Sequence, residues 1–203
     1  MNNQATPIIT MNDAHEYSLG GVRVPSVTQI LGDVLGDPTQ GFGKQWHLDR
    51  GSAAHALYAI IGLGHDLSRY LYDPRLQPQV DAFRAWVKAE GVEFLEVEKQ
   101  VGSAQYGYAG TFDALVKMRG KTWLIDYKAS TGGRDALQLA AYAIAGGRSV
   151  YGCASLQINE DGWRYGVKLR GLSKAAAIAD WHAVRRTWQI IKDVNHGNQK
   201  RNY

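Results

Sequence analysis

The chain has 203 residues, 45% of them hydrophobic, 21% charged and 10% aromatic, with 23 Lys and Arg against 19 Asp and Glu. These proportions exclude a disordered or fibrous chain, and no apolar run approaches the roughly 18 residues of a membrane span. Cys153 is the single cysteine, which excludes an internal disulfide framework and any site that needs several thiolates.

The N-terminus has neither a charged start nor an apolar block behind it, so no secretory signal is expected and a reducing cytoplasm fits. A net charge of +4 permits a polyanionic partner without demonstrating one. No repeat, low-complexity tract or long linker divides the chain, so one domain is expected over residues 1–203. Within it, 1–90 should hold a hairpin and helices, 91–170 a sheet region, and 171–203 a final helix with a basic tail.

Residues 15–24 read as a hairpin turning at Gly20-Gly21. Ser26, with Gln29 three residues on, forms a capping box and predicts a short helix carrying Val27, Ile30, Leu31 and Val34. Gly36, Pro38, Gly41 and Gly43 mark residues 36–43 as loop. That loop is not a phosphate-binding P-loop. Gly36 and Gly41 have the spacing, but Phe42 stands where lysine is required, and Gly43-Lys44 is followed by Gln45. A second helix is predicted over about 44–61, and a third from Pro78 to Glu90 with Val80, Phe83 and Val87 on one face.

Three strands should follow in succession, Glu93–Val101, Tyr108–Met118 and Lys121–Tyr127, the last two joined by a tight turn at Arg119-Gly120. A helix at about 134–146 precedes a second hairpin, Gly152–Asn159 and Trp163–Leu169, turning at Glu160-Asp161-Gly162. A last helix begins near Ser173, where Ile178, Trp181, Val184, Trp188 and Ile191 recur at helical spacing. Asn195–Tyr203 is polar and basic and is expected to fray. This order predicts an α/β or α+β fold, a mixed sheet flanked by helices.

The chemistry concentrates in the middle strands. Asp113 ends Gly110-Thr111-Phe112-Asp113, and Asp126-Tyr127-Lys128 closes the apolar strand Thr122–Ile125. Alternation sends Asp126 and Lys128 to one face, Ile125 and Tyr127 to the other. A hairpin between the strands can bring Asp113 beside Asp126. Two converging carboxylates repel unless a cation neutralises them, and Mg²⁺ or Mn²⁺ matches such oxygen donors. A nearby lysine can position or deprotonate an attacking water and offset charge in a phosphorane-like transition state. An isolated Asp-x-Lys is normally a solvated pair; here it follows an apolar strand, with a carboxylate upstream across the hairpin.

Glu98 on the preceding strand can face the same pocket, and Glu96 shares its parity; either can equally belong to a solvated strand face. Trp86, Trp181 and Trp188 read as core packing. Trp46, near Phe42, Lys44 and Arg50, either stacks on an unpaired base or packs its helix start on the core. Lys44, Arg50, Arg134, Arg185, Arg186 and Lys192 are candidate phosphate contacts.

Taken in order, Gly110–Asp113, Ile125-Asp126-Tyr127-Lys128 and Gln138-Leu139-Ala140-Ala141-Tyr142 resemble the PD-(D/E)XK nuclease superfamily, and more narrowly its RecB-type and phage-exonuclease branch. Arg50-Gly51-Ser52-Ala53-Ala54-His55 is similar to the helix that places a histidine at the metal in that branch, and Pro25–Leu31 to the opening of phage-type members. The matching pieces span about residues 25–142. Phe112 stands where the superfamily's name has proline, as the G-x-x-D form of the RecB-type branch commonly allows.

The resemblance implies a restriction-endonuclease-like core and metal-dependent hydrolysis of phosphodiester bonds in DNA. By it, His55, Asp113, Asp126 and the Tyr127 carbonyl would bind one or two Mg²⁺ or Mn²⁺ ions. Lys128 would be the catalytic lysine, Glu98 the acid of the preceding strand, and Gln138 and Tyr142 would line the site. Their i, i+4 spacing puts both on one helix face. With one cysteine, no iron–sulfur cluster is expected. The implied partners are DNA and, as for phage-type relatives, a single-strand annealing protein; a bacterial or phage-encoded origin fits. The resemblance favours an exonuclease of recombination, repair or phage DNA metabolism. A structure-specific or nicking endonuclease, and a module that binds DNA without cutting it, are the alternatives on the same core.

Overall fold

The three middle runs are rich in β-branched and aromatic residues and are broken by turn residues, and they form an antiparallel meander: β1 (Glu93–Ser103), β2 (Tyr108–Met118) and β3 (Lys121–Lys128). Arg119 and Gly120 both take positive φ, the conformation that lets a two-residue turn follow strand twist. The computed structural model describes residues 8–36, 45–147 and 149–199, with backbone alone at 45–49 and 196–199.

β3 continues in parallel pairing to β4 (Gly152–Asn159), which pairs antiparallel with β5 (Gly162–Arg170), so the sheet is five-stranded and mixed in the order β1-β2-β3-β4-β5. A parallel neighbour requires a crossover, and helix α1 (Arg134–Ala145) supplies it. Helices cover both faces. On one lie α2 (Gln45–Gly62) and α3 (Gln77–Glu90), where Tyr58, Phe83 and Trp86 pack against Val116, Ile125 and Tyr127. On the other lie α4 (Val27–Leu35), α1 and α5 (Gly171–Gln199), where Ile30, Leu139 and Trp181 meet Leu115 and Leu124. Double coverage explains why β3 and β4 are buried without a break, from Trp123 to Tyr127 and from Gly152 to Ile158.

The predicted N-terminal hairpin is present as β7 (Tyr17–Leu19) and β8 (Val22–Val24), with an unpredicted third strand, β6 (Ile9–Met11), beside it. Tyr17 and Leu19 pack on Ala109, and the Tyr17 hydroxyl lies 2.9 Å from Thr111 Oγ1. Ser26 caps α4 as predicted, its Oγ accepting from the Gln29 N–H at 2.9 Å.

The expected fraying from Asn195 is corrected: α5 runs from Gly171 through Gln199, while residues 200–203 lie outside the described residues. Trp188 Nε1 donates to Asp33 Oδ2 at 2.9 Å and Lys192 Nζ lies 3.0 Å from the same oxygen, tying the late turns of α5 to α4. Trp86 and Trp181 are fully buried and Trp188 is partly so, as packing residues should be. The predicted loop at 36–43 falls almost wholly outside the described residues. Among the described residues no helix is long and apolar enough to cross a membrane.

Candidate active site

Alternation along β3 turns Ile125 and Tyr127 toward α2 and α3, and Leu124, Asp126 and Lys128 toward α1. Asp126 is 3% exposed. Lys128 Nζ stands 2.6 Å from its Oδ2, and Gln138 Nε2 donates to its Oδ1 at 3.4 Å. Gln138 also accepts from Lys128 Nζ at 2.9 Å and donates to the Tyr142 hydroxyl at 3.0 Å. The i, i+4 pair on α1 therefore closes a circuit over the end of β3.

Burial raises the Asp126 pKa, and the Lys128 charge opposes that rise. Burial alone would lower Lys128, but the adjoining Asp126 carboxylate outweighs it, so the ammonium is held above its ordinary pKa.

The other half of the site forms where β2 and β3 part. Their pairing runs from Met118 opposite Lys121 to Ala114 opposite Ile125. One residue further, the Asp113 carboxylate accepts the Tyr127 N–H, so a side chain takes the place of the ladder partner. Asp113 Oδ1 lies 3.4 Å from Nδ1 of His55, which α2 brings over the sheet. Beneath the imidazole, the Tyr127 ring is edge-on to His55, Tyr58 and Phe83, with centroids 5.8, 5.3 and 5.4 Å away.

Glu98 completes this group. A bulge between Phe94 and Glu96 shifts the register of β1, and the flanking pairs, Val97 with Ala114 and Lys99 with Phe112, set Glu98 opposite Asp113. Its φ of 48° is left-handed, a conformation that strains a non-glycine residue and is concentrated at functional sites. Ligand atoms of His55, Glu98 and Asp113 all lie within 4.8 Å of one another. Of the two glutamates, Glu98 is the one brought to Asp113 and His55. Glu96, opposite Leu115, lines the hollow between β1 and α1 that Glu98 also borders.

Glu98 is exposed as a whole residue, but its carboxyl is crowded in the cleft. Desolvation first, then the Asp113 charge, push it up to about 7 against the opposing His55. Burial alone would lower the His55 pKa; its hydrogen bond with Asp113 and that carboxylate's charge raise it instead. Carboxylates that hold protons this high are short of positive charge. Hard oxygen donors with one imidazole suit Mg²⁺ or Mn²⁺, so the donor set fits the expected cation.

The basic candidates scatter. Arg50 is ion-paired with Glu160 in the β4–β5 turn. Arg134 opens α1 and donates to the Leu35 carbonyl at 2.6 Å, in a cleft of about 970 Å³ that also includes Lys128, Gln138, Ser26 and Ser130. Lys44 and the side chain of Trp46 lie outside the described residues. Arg185 donates to the Tyr106 carbonyl at 2.6 Å and Lys192 pairs with Asp33. Sequence reasoning missed Gly166, where a Cβ would stand 2.1 Å from Thr131 Cγ2 in the loop between Lys128 and α1. It is the close approach of a loop distant in sequence that exposes it.

No family model and no curated protein matches the sequence. Among solved structures the chain is similar to the crystal structure of LHK-Exo in complex with dAMP, at 15% identity, over 88% of this chain and 92% of that chain, with a TM-score of 0.49.

Proposed function

We propose that the chain is a divalent-metal-dependent DNA nuclease of the PD-(D/E)XK kind that its motifs resemble, acting as an exonuclease. The observation that carries this reading is the meeting, across the split between β2 and β3, of the His55–Glu98–Asp113 donor group with the buried Asp126–Lys128–Gln138 circuit. His55, Glu98 and Asp113 would hold Mg²⁺ or Mn²⁺, with Asp126 beside them. When bound, such an ion polarises a phosphate oxygen and lowers the pKa of coordinated water.

The chain's own groups divide the remaining work. Lys128, kept protonated by Asp126, offers positive charge to a phosphate oxygen as charge develops on it, rather than acting as a base. Gln138 fixes the ammonium in place and anchors Tyr142. The aromatic stack under His55 keeps water from the rear of the imidazole. Arg134 and Ser130 flank Lys128 in the open cleft, where a DNA strand would pass.

Asp113→Asn and Asp126→Asn should each lower Mn²⁺-dependent degradation of linear DNA by about 10³-fold, with a cooperative thermal transition still present, lowered for Asp126→Asn because the Lys128 ammonium loses its partner. Undiminished cutting by both variants would sink the mechanism. End-labelled linear and closed circular DNA, digested with Mg²⁺ and with Mn²⁺, separate the modes. Survival of the circle supports exonuclease action, nicking of it supports the endonuclease alternative, and binding without cleavage in either metal supports a DNA-binding module.

A further inference from the structure

At the opposite end of β3 from Asp126, Arg119, Lys121, Lys168 and Arg170 surround a hollow of about 250 Å³. Asp126 lies five residue steps along the strand from Lys121, roughly 17 Å at 3.3–3.4 Å per residue. Gly152 pairs with Trp123 on one side and Arg170 on the other. A Cβ at Gly152 would stand 2.6 Å from the Trp123 ring and 2.9 Å from the Leu169 carbonyl oxygen, so glycine leaves room for the Trp123 ring that lines the hollow.

Aromatic rings place the cations. Lys168 Nζ lies 3.5 Å from the Tyr165 centroid and Lys121 Nζ 5.5 Å from that of Tyr151, while Arg170 Nη1 is 3.5 Å from the Tyr151 hydroxyl. Glu90 is the one carboxylate among the described lining residues, and Arg119 grips it through two nitrogens at 3.0 and 3.1 Å. Lys121, Lys168 and Arg170 are thus left with no carboxylate of their own in the hollow. Burial lowers the Lys168 pKa; Glu90 opposes that, and the neighbouring Arg170 and Arg119 lower it further. Cations gathered against their mutual repulsion fit an anionic ligand.

We propose that this hollow binds the phosphodiester backbone of a single nucleic-acid strand, as a second contact remote from the catalytic centre. The inference rests on the reading that the chain acts on DNA, and adds where a strand is gripped beyond the cleavage site. Three uncompensated cations suit successive phosphates. Tyr151, 45% exposed beside them, offers ring surface to a base, which an acidic polypeptide would leave unused.

The test is fluorescence anisotropy of the full chain with labelled oligothymidylate in EDTA, where metal-dependent cleavage does not intervene. Lys121→Glu/Arg170→Glu should weaken binding about tenfold or more and reduce the slope of log affinity against log salt by about 1.4, roughly 0.7 for each phosphate no longer neutralised. Arg84→Glu/Lys117→Glu, the same charge change on exposed residues outside the hollow, should leave affinity near that of the parent. The inference is overturned if the first pair binds like the parent, if both pairs weaken binding equally, or if polyglutamate displaces the oligonucleotide as well as unlabelled oligothymidylate does. Failure of the nuclease reading shows separately, as unchanged cutting by Asp113→Asn.

Discussion

His55, Glu98 and Asp113 share so small a volume that a metal ion held there would compete with the protons of His55 and Glu98. Glu98 is raised to about 7 from 4.5, while His55 and Asp126 are raised from 6.5 and 3.8. Each binds its proton more tightly in the folded chain, so the stability it adds is present at low pH and is lost as pH rises through the folded value. Lys128, also raised, titrates above 10.5 and does not contribute in this range. In EDTA the thermal transition should therefore fall between about pH 5 and pH 8, with a shallower fall for Glu98→Gln. Stabilisation by added Mn²⁺ should grow over the same interval, because binding displaces those protons. A metal-free transition that climbs with pH would contradict this assignment.

Lys128→Ala strands the Asp126 carboxylate, which is almost wholly buried. The cost should be about 2–3 kcal/mol in urea denaturation, below the 3–5 of a fully buried pair, because 24% of the lysine side chain meets solvent. Asp126→Asn/Lys128→Met should recover part of that loss, so loss of activity in the double variant is not loss of fold.

Among the elements, the loop between β3 and α1 is held from behind by β5. The Cβ of Gly166→Ala would press on Thr131 Cγ2 and Cβ and approach Ser155 Oγ at 2.8 Å, an oxygen that already accepts the Val167 N–H. The substitution should cost about 1–3 kcal/mol and depress DNA cleavage by shifting the loop that follows Lys128. Adding Thr131→Gly, which clears two of the three contacts, should return most of both; denaturant midpoints and cleavage rates check it.

Elements that obey a period were legible in the sequence. Strand alternation placed Lys128 beside Asp126, helical spacing put Gln138 and Tyr142 on one face, and Ser26 marked the start of α4. Glu98 could not be separated from Glu96, because the two share one parity and alternation puts both on the same face; the register that sets Glu98 opposite Asp113 follows a bulge after Phe94 and has no local signal. Ile9–Met11 is too short to show a period, and it pairs only because the hairpin stands beside it. The Arg50–Glu160 pair joins residues far apart in sequence, and the end of α5 is held by Asp33 from α4. Neither carries a local signal.

For the whole molecule, the two large apolar clusters lie back to back on one sheet, with Leu124 in one and Ile125, its immediate neighbour, in the other. Neither cluster can lose its strand residues without exposing the other. Tryptophan fluorescence, fed by Trp86 on one face and Trp181 on the other, should thus lose its native signal in a single denaturant transition that coincides with far-ultraviolet circular dichroism. Two separated midpoints would mean that the faces unfold independently and that the expected single domain is wrong.

The parting of β2 from β3 also gives the protein a resident spectroscopic gauge. The Tyr127 amide proton is bonded to the Asp113 carboxylate rather than to a strand carbonyl, so its resonance depends on the electron density of that one group. A cation drawing on Asp113 would withdraw density from that bond and move the peak. In a ¹⁵N-correlated titration, this resonance should track loading of the cluster, while the Ile125 and Leu124 amides, deeper in the ordinary ladder, stay nearly still.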